Sequence, residues 1–241
     1  MQADEVIDRI FRPLSNGNVF EEAVHRIMEA IRLGVLAPGE RLPTERDLAA
    51  SLGISRVTLR EAIRSLQEAD YLVSRRGNGG GTFVVKRPIS STAKGDPAKL
   101  RTITMAQAED SIALRRVLEI GAVELAAGRR HSAAALAGLR ESLHACDSSS
   151  LSDYRPLDSR LHLTIAELAG APSVTTAVAG ARSRVNHLLD AIPLLPPNIQ
   201  HSNAQHLALV EAIGKGDVEG ARRTMGQHLD ATASLLRAFL C

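Results

Sequence analysis

Arg41–Val85 reads RLPTERDLAASLGISRVTLREAIRSLQEADYLVSRRGNGGGTFVV, and its punctuation decides the fold of the N-terminal part of the chain. Thr44 is placed to cap a short helix, and Asp47 three residues on completes a capping-box-like pair. Leu48, Ala49 and Leu52 give that helix an apolar face, and Gly53 ends it. Ile54 then plugs the corner. Ser55 caps a second helix, whose apolar positions are expected at Val57, Leu59, Ala62, Ile63 and Leu66. Two short helices joined by a tight turn make a helix-turn-helix. Tyr71–Val73 and Thr82–Val85 follow as two strands around Arg75-Arg76-Gly77-Asn78-Gly79-Gly80-Gly81, a basic tip almost free of side chains that can approach a sugar–phosphate backbone. The unit reads as a winged helix-turn-helix.

The second helix carries the chemistry that a major groove requires. Its first turn offers hydroxyls on Ser55 and Thr58, guanidiniums on Arg56 and Arg60, and free backbone N–H groups that favour a phosphate. Arginine reads a guanine edge bidentately or clamps phosphate, and threonine does either job more weakly. The ordinary alternative for a basic helix is a solvated face, and the glycine-rich hairpin beside this one counts against it. The formal net charge of the whole chain is only +2, but residues 56–87 hold seven Arg/Lys against three acids, a net of +4 where the groove contact falls.

Three segments in order, PGERLPTERDLA at 38–49, SRVTLREA at 55–62 and RRGNGGGTFV at 75–84, resemble the DNA-binding domain of the GntR family of bacterial transcription regulators. The resemblance implies that Arg46, Arg56, Thr58 and Arg60 contact the operator, with Asn78 and Gly79 at the wing tip. Asp70 departs from the pattern, which has glycine between the recognition helix and the wing.

Upstream, residues 1–17 are expected to be a mobile arm. Asn18 caps an amphipathic helix from Val19 to about Leu33 with Val24, Ile27, Met28 and Ile31 turned inward, and Gly34 ends it. Residues 18–85 therefore form the DNA-binding domain, and 86–104, rich in Pro, Ser and Gly, form a linker with a helical turn near Pro97–Leu100. From Met105 to Cys241 the pattern is helical throughout, with breaks between Ala127 and Ser132 and at Ser148–Ser150, Gly170–Pro172, Pro193–Pro197 and Gly216. The expected fold class is mostly α: a winged helix followed by an all-helical antiparallel bundle of six or seven helices at 105–241. Scarce aromatics and no Trp leave the core to Leu, Ala, Val and Ile, which suits close-packed helices. Two cysteines make no disulfide framework, and there is no signal peptide or long apolar run, so the expected setting is soluble and cytoplasmic, without membrane contact.

Within the bundle, Asp158 and His162 stand i, i+4 on one helix face, and His206 and His228 fall on the last two helices, which a short connection makes neighbours. Three imidazoles and a carboxylate suit a divalent transition metal (Zn, Ni, Co or Mn) with positions left for water or ligand; isolated buried or surface histidines are the ordinary alternative. Arg115 lies within an apolar stretch one turn before Glu119, so it needs an anionic partner, either Glu119 itself or a bound ligand. Arg182 and Asn186, i, i+4 on a later helix, are further candidates for the same pocket wall.

This region also resembles a known domain, the FCD ligand-sensing domain of the FadR-like branch of the same family. The matching segments are R-x-x-L-E at 115–119, D-x-x-x-H at 158–162, H-x-x-L-x-x-A-I-x-x-G-D at 206–217 and M-x-x-H-L at 225–229. The resemblance implies that Asp158, His162, His206 and His228 are metal ligands and that Arg115 binds an effector carboxylate beside the metal. His187 and His201 match no part of the pattern and read as surface or pocket-rim residues.

The expected function is a ligand-responsive transcription regulator that senses a small organic acid. It is expected to be a homodimer on a palindromic operator in double-stranded DNA, because one winged helix reads only a half-site. Two alternatives differ in the bundle. One is the same regulator sensing an acyl-CoA in a metal-free pocket. The other is a metal-dependent hydrolase, against which the motifs place no second carboxylate or other base near the ligands.

Overall fold

In a computed structural model of the protein, the structure describes residues 19–68, 71–77, 79–85, 96, 99 and 101–240. The expected arm at 1–17, the Asn18 cap, Asp70, Asn78 and most of the linker lie outside the described residues; of the helical turn expected near Pro97–Leu100 only Lys99 is described, and it is helical. The chain divides into two compact units, residues 1–89 and 90–241.

The first unit opens with α1 (Val19–Arg32), which buries Ala23, Ile27, Ala30 and Ile31 at helical spacing and ends at Gly34 with φ 68°. Helix α2 (Glu45–Leu52) starts where Thr44 accepts a hydrogen bond from the Asp47 N–H, and stops at Gly53, whose φ of 66° is left-handed. Helix α3 (Arg56–Glu68) starts where the Ser55 hydroxyl accepts from the Thr58 N–H at 3.0 Å. It packs Leu59, Ala62, Ile63 and Leu66 against α1 and α2. Val57 departs from the expected apolar face: it is 65% exposed, because the first turn of α3 projects beyond the core that Leu59 enters. Strands β1 (Leu72–Arg75) and β2 (Gly81–Val84) pair antiparallel with Leu72 opposite Val84 and Arg75 opposite Gly81. Residues 39–42 run along the other edge of β2, where Leu42 N–H donates to the Thr82 carbonyl at 2.8 Å.

The second unit holds six helices among the described residues: α4 (Met105–Ala127), α5 (Ala133–Asp147), α6 (Tyr154–Leu168), α7 (Pro172–Leu189), α8 (Pro196–Lys215) and α9 (Val218–Leu240). Thr104 and Gln107 form a full capping box at the head of α4, Ser132 caps α5, and prolines occupy the first turns of α7 and α8. Helix α4 is central, packing against α6, α7, α8 and α9. Its buried stripe runs Ala108, Ser111, Arg115, Glu119, Ala122, Val123 and Ala126, so the middle of the central helix carries charge rather than hydrocarbon. Apolar clusters lie to either side: Val123, Leu139, Leu161, Leu209 and Met225 in one, Val185, Leu188, Ile192 and Leu236 in the other.

Gly53 gives a direct check on the helix-turn-helix. An alanine there keeps the left-handed backbone only at a cost of about 1–2 kcal/mol. Hydrogen exchange of peptides covering 42–66 should therefore quicken about tenfold in Gly53→Ala, with the bundle unchanged; equal protection in the two proteins would contradict the assigned turn.

Candidate functional site

The first turn of α3 presents Arg56, Val57 and Arg60 to solvent. Arg60 Nε donates to Glu45 Oε2 of α2 at 2.7 Å, which holds the guanidinium across the face of the helix pair. Thr58 is tied into the cap, its hydroxyl 2.9 Å from that of Ser55. Arg46 is exposed and pairs with Asp47 at 3.4 Å. In the hairpin, the Arg75 guanidinium lies 4.8 Å over the Phe83 ring, and Gly77 and Gly79 take φ of 98° and 80°. A Cβ on Gly80 would meet the carbonyl oxygens of Arg75 and Gly77 at 2.6 and 2.8 Å, so the tip admits no side chain there. Of the sequence-derived set, Arg46, Ser55, Arg56, Thr58, Arg60 and Gly79 all lie on this one unit, and Asn78 falls outside the described residues. The exposed guanidiniums of Arg56 and Arg60 can hydrogen-bond a guanine edge or phosphate, and the methyl groups of Val57 and Thr58 can pack against a thymine methyl.

In the second unit, Asp158, His162, His206 and His228 each offer a ligand atom within 4.8 Å of the others. All three imidazoles are buried, with ring centroids 4.7 to 5.3 Å apart. His162 Nε2 and His206 Nε2 are 3.3 Å apart, and Asp158 Oδ1 lies 3.3 Å from the second and 3.8 Å from the first. The other ring nitrogens face the protein. Glu119 Oε2 stands 2.5 Å from His162 Nδ1, and Gln205 Oε1 and Ser202 Oγ stand 3.2 and 3.3 Å from His228 Nδ1. A carboxylate on Nδ1 makes that nitrogen the protonated one, leaving the lone pair of Nε2 toward the cluster. His206 Nδ1 is buried with no hydrogen-bond partner among the described residues.

The protonation states suit a cation. Burial, and then the Arg182 guanidinium, push His162 down to about 4 against the opposing pull of Glu119. Burial, then the other two imidazoles, hold His228 well below its usual value. Burial alone would raise the Asp158 carboxyl, but Arg182 and the imidazoles together hold it well below the usual carboxylate range. At neutral pH the set therefore contains an ionised carboxylate beside two imidazoles, His162 and His228, that favour the neutral form, which is donor chemistry a borderline divalent ion takes.

Glu119 was legible in the sequence only as a partner for Arg115. It does pair with Arg115 Nε at 2.8 Å, the intrahelical alternative, and it also reaches Arg182 Nη1 at 3.5 Å and His162. The structure thus corrects the expectation that no second carboxylate lies near the four residues. Two guanidiniums and an imidazole already engage it, so it orients His162 rather than serving as a free base. Arg182, 1% exposed, also binds Asp158 Oδ2 and donates to Ser159 Oγ at 3.2 Å, while Asn186 donates to the same hydroxyl at 2.7 Å. Ser159 was not singled out by sequence; its hydroxyl is the hub that fixes α7 on α6.

A cavity of about 220 Å³ opens beside the cluster, lined at this end by Arg115, Asp158, Asn186, Gln205 and His228. Arg182 is not among its lining residues; it stands behind Asp158, committed to carboxylates. His201 sits on the cavity rim and His187 is exposed.

Comparison with known proteins agrees with both units. Residues 20–84 match the family described as bacterial regulatory proteins, gntR family, and residues 110–231 match the FCD domain. The chain belongs to the GntR family. It is a transcription regulator whose C-terminal unit is an FCD effector-binding domain. A protein of Escherichia coli (strain K12) named for regulation of the L-lactate dehydrogenase operon is 32% identical over 228 residues, spanning 91% of this chain and 86% of that one. The transcriptional regulator RmpR of Mycobacterium gastri is 30% identical (92% and 81% covered), and the transcriptional repressor NanR of Citrobacter rodentium 28% (94% and 88%). Among solved structures, E. coli McbR/YncC shares the fold with a TM-score of 0.54 at 21% identity, over 91% of this chain and 97% of that one. These matches are to transcription regulators, not enzymes. No helix among the described residues is long and apolar enough to cross a membrane.

Breaking the ion network from the arginine side should be costly. Arg182→Leu leaves two buried carboxylates without their shared cation, an expected loss of about 3–5 kcal/mol. The denaturant midpoint of the bundle transition should fall accordingly; an unchanged midpoint would show that the network is not holding these helices.

Proposed function

We propose that this regulator binds a two-fold operator as a homodimer and senses a small carboxylate at a divalent metal ion in the FCD unit. The observation that carries the sensing half is the convergence of Asp158, His162, His206 and His228 within 4.8 Å beside a cavity whose wall includes Asp158 and His228. An ion there, zinc, nickel, cobalt or manganese, would be held by these four residues and would supply Lewis-acid attraction for an anionic ligand. Arg115, whose guanidinium lines the same cavity, supplies a second positive charge. At about 220 Å³ the cavity lies below the usual range of about 300–1,000 Å³ for drug-sized ligands. That size favours a small acid over a CoA thioester. The relative named for the L-lactate dehydrogenase operon supports the same class, since lactate is a small 2-hydroxy acid.

On the DNA side, the proposed contacts are Arg46, Arg56, Thr58 and Arg60 with the wing tip at Asn78 and Gly79, and Ser55 caps the reading helix. The two-fold symmetry follows from the half-site that a single winged helix covers. The effector acts by binding the DNA-competent and DNA-free forms unequally, which shifts the balance between them.

Two variants separate the halves of this reading. Arg56→Ala should weaken specific operator binding by at least about tenfold while metal content stays unchanged; operator affinity equal to wild type would refute the recognition-helix assignment. His206→Ala should lose the bound metal and the response to carboxylates while retaining salt-sensitive DNA binding. Full metal stoichiometry in that variant would refute the ligand set.

A further inference from the structure

Beyond the end nearest the histidines, the cavity continues along α8 to Asn198 and Ile199 and under the segment Pro193–Leu195. From Gln205 to Asn198 along α8 is about 10 Å at the helical rise. A ligand of one carboxylate on the metal and Arg115 would fill only the near part. The lining is not simply apolar, because it includes Arg155.

Arg155 is an unusual residue to find there. It is 7% exposed, one helical turn before Asp158 on α6, about 4.5 Å along the axis. Its Nη2 donates to the Ile192 carbonyl at 2.9 Å, which fixes the guanidinium against the end of α7. Its Nε is buried and has no hydrogen-bond partner among the described residues. The ion-pair partner Asp190 stands 3.8 Å away, beyond hydrogen-bond length, and that carboxylate also faces Lys99 Nζ at 3.6 Å. A guanidinium that lines a cavity, with its carboxylate partner beyond hydrogen-bond length, still has charge to offer an oxygen anion, since charge-assisted bonds to carboxylate are the strongest it can make. None of the motifs that identified the metal ligands includes this position.

We infer that Arg155 receives a second carboxylate, so that the effector is a short dicarboxylic acid bridging the metal end and the Arg155 end of the cavity. This rests on the proposed carboxylate-at-metal reading and narrows it. One head of the acid meets the ion and Arg115; the distal carboxylate meets Arg155, with the leucine and proline side chains of 189–195 covering the carbon chain between them.

Lactate and malate test it, because they share a 2-hydroxy acid head and differ by a distal carboxylate. Titration calorimetry with the zinc-loaded full-length chain should give malate at least about tenfold tighter binding than lactate. Arg155→Gln should bring malate down to the lactate value while lactate itself changes less than about twofold, which also shows that the variant is folded. Arg155→Lys, which keeps the charge without the planar fork, should fall between. Equal affinity for the two acids in wild type, or a malate preference that survives Arg155→Gln, would overturn the role of Arg155 and leave the carboxylate reading standing. Failure of both acids to bind the zinc-loaded protein would instead overturn the carboxylate reading, and this inference with it.

Discussion

In the middle of the helical bundle, two carboxylates and two guanidiniums are held out of water: Asp158 and Glu119 against Arg182 and Arg115. Buried charge is tolerated only when its partners are in place, and the attraction between the pairs does little more than offset the cost of removing them from solvent. What the network provides is position. Arg182 from α7 grips one carboxylate from α4 and one from α6, so three helices share a single register at that level. Any shift of α7 along α6 by a turn would leave Asp158 without its cation.

The imidazoles inherit their geometry from that network. Glu119, steadied by both arginines, fixes the ring of His162, and Asp158, steadied by Arg182, fixes the distance to His206. His228 is oriented from the other side by Gln205 and Ser202 of α8. Arg115 gives only its Nε to Glu119, so one residue touches both the cavity and the carboxylate that orients His162. The DNA-reading unit is built on the opposite principle. Its working groups are exposed, on a short helix whose ends are set by Ser55 and by the left-handed Gly53, and on a hairpin tip that excludes a side chain at Gly80.

The contrast explains what could be read from sequence. Caps, glycine stops and strand alternation act over a few residues, so the winged helix and the breaks that separate the bundle helices were legible. The i, i+4 spacing of Asp158 and His162 marked a shared face, and resemblance supplied His206 and His228. The role of Glu119 was not legible, because i, i+4 pairing with Arg115 accounted for it fully and nothing local pointed to a histidine 43 positions away. The i, i+4 spacing of Arg182 and Asn186 pointed to a pocket wall, yet two buried carboxylates claim the arginine. Val57 was misplaced for a simpler reason: helical periodicity fixes a residue's face but not whether the core extends to the first turn. Arg155 carried no signal at all, its significance arising from a carbonyl at Ile192 and a cavity that only the packed bundle creates.

Whether the four convergent residues hold an ion decides how the FCD unit senses its ligand. Elemental analysis of the wild-type full-length chain, purified without chelators and dialysed against metal-free buffer, measures this directly. One tightly held divalent transition-metal ion per chain is expected. A protein that retains no metal, and takes up none when zinc, nickel, cobalt or manganese is supplied, would contradict this expectation and leave the three histidines as members of a buried polar core.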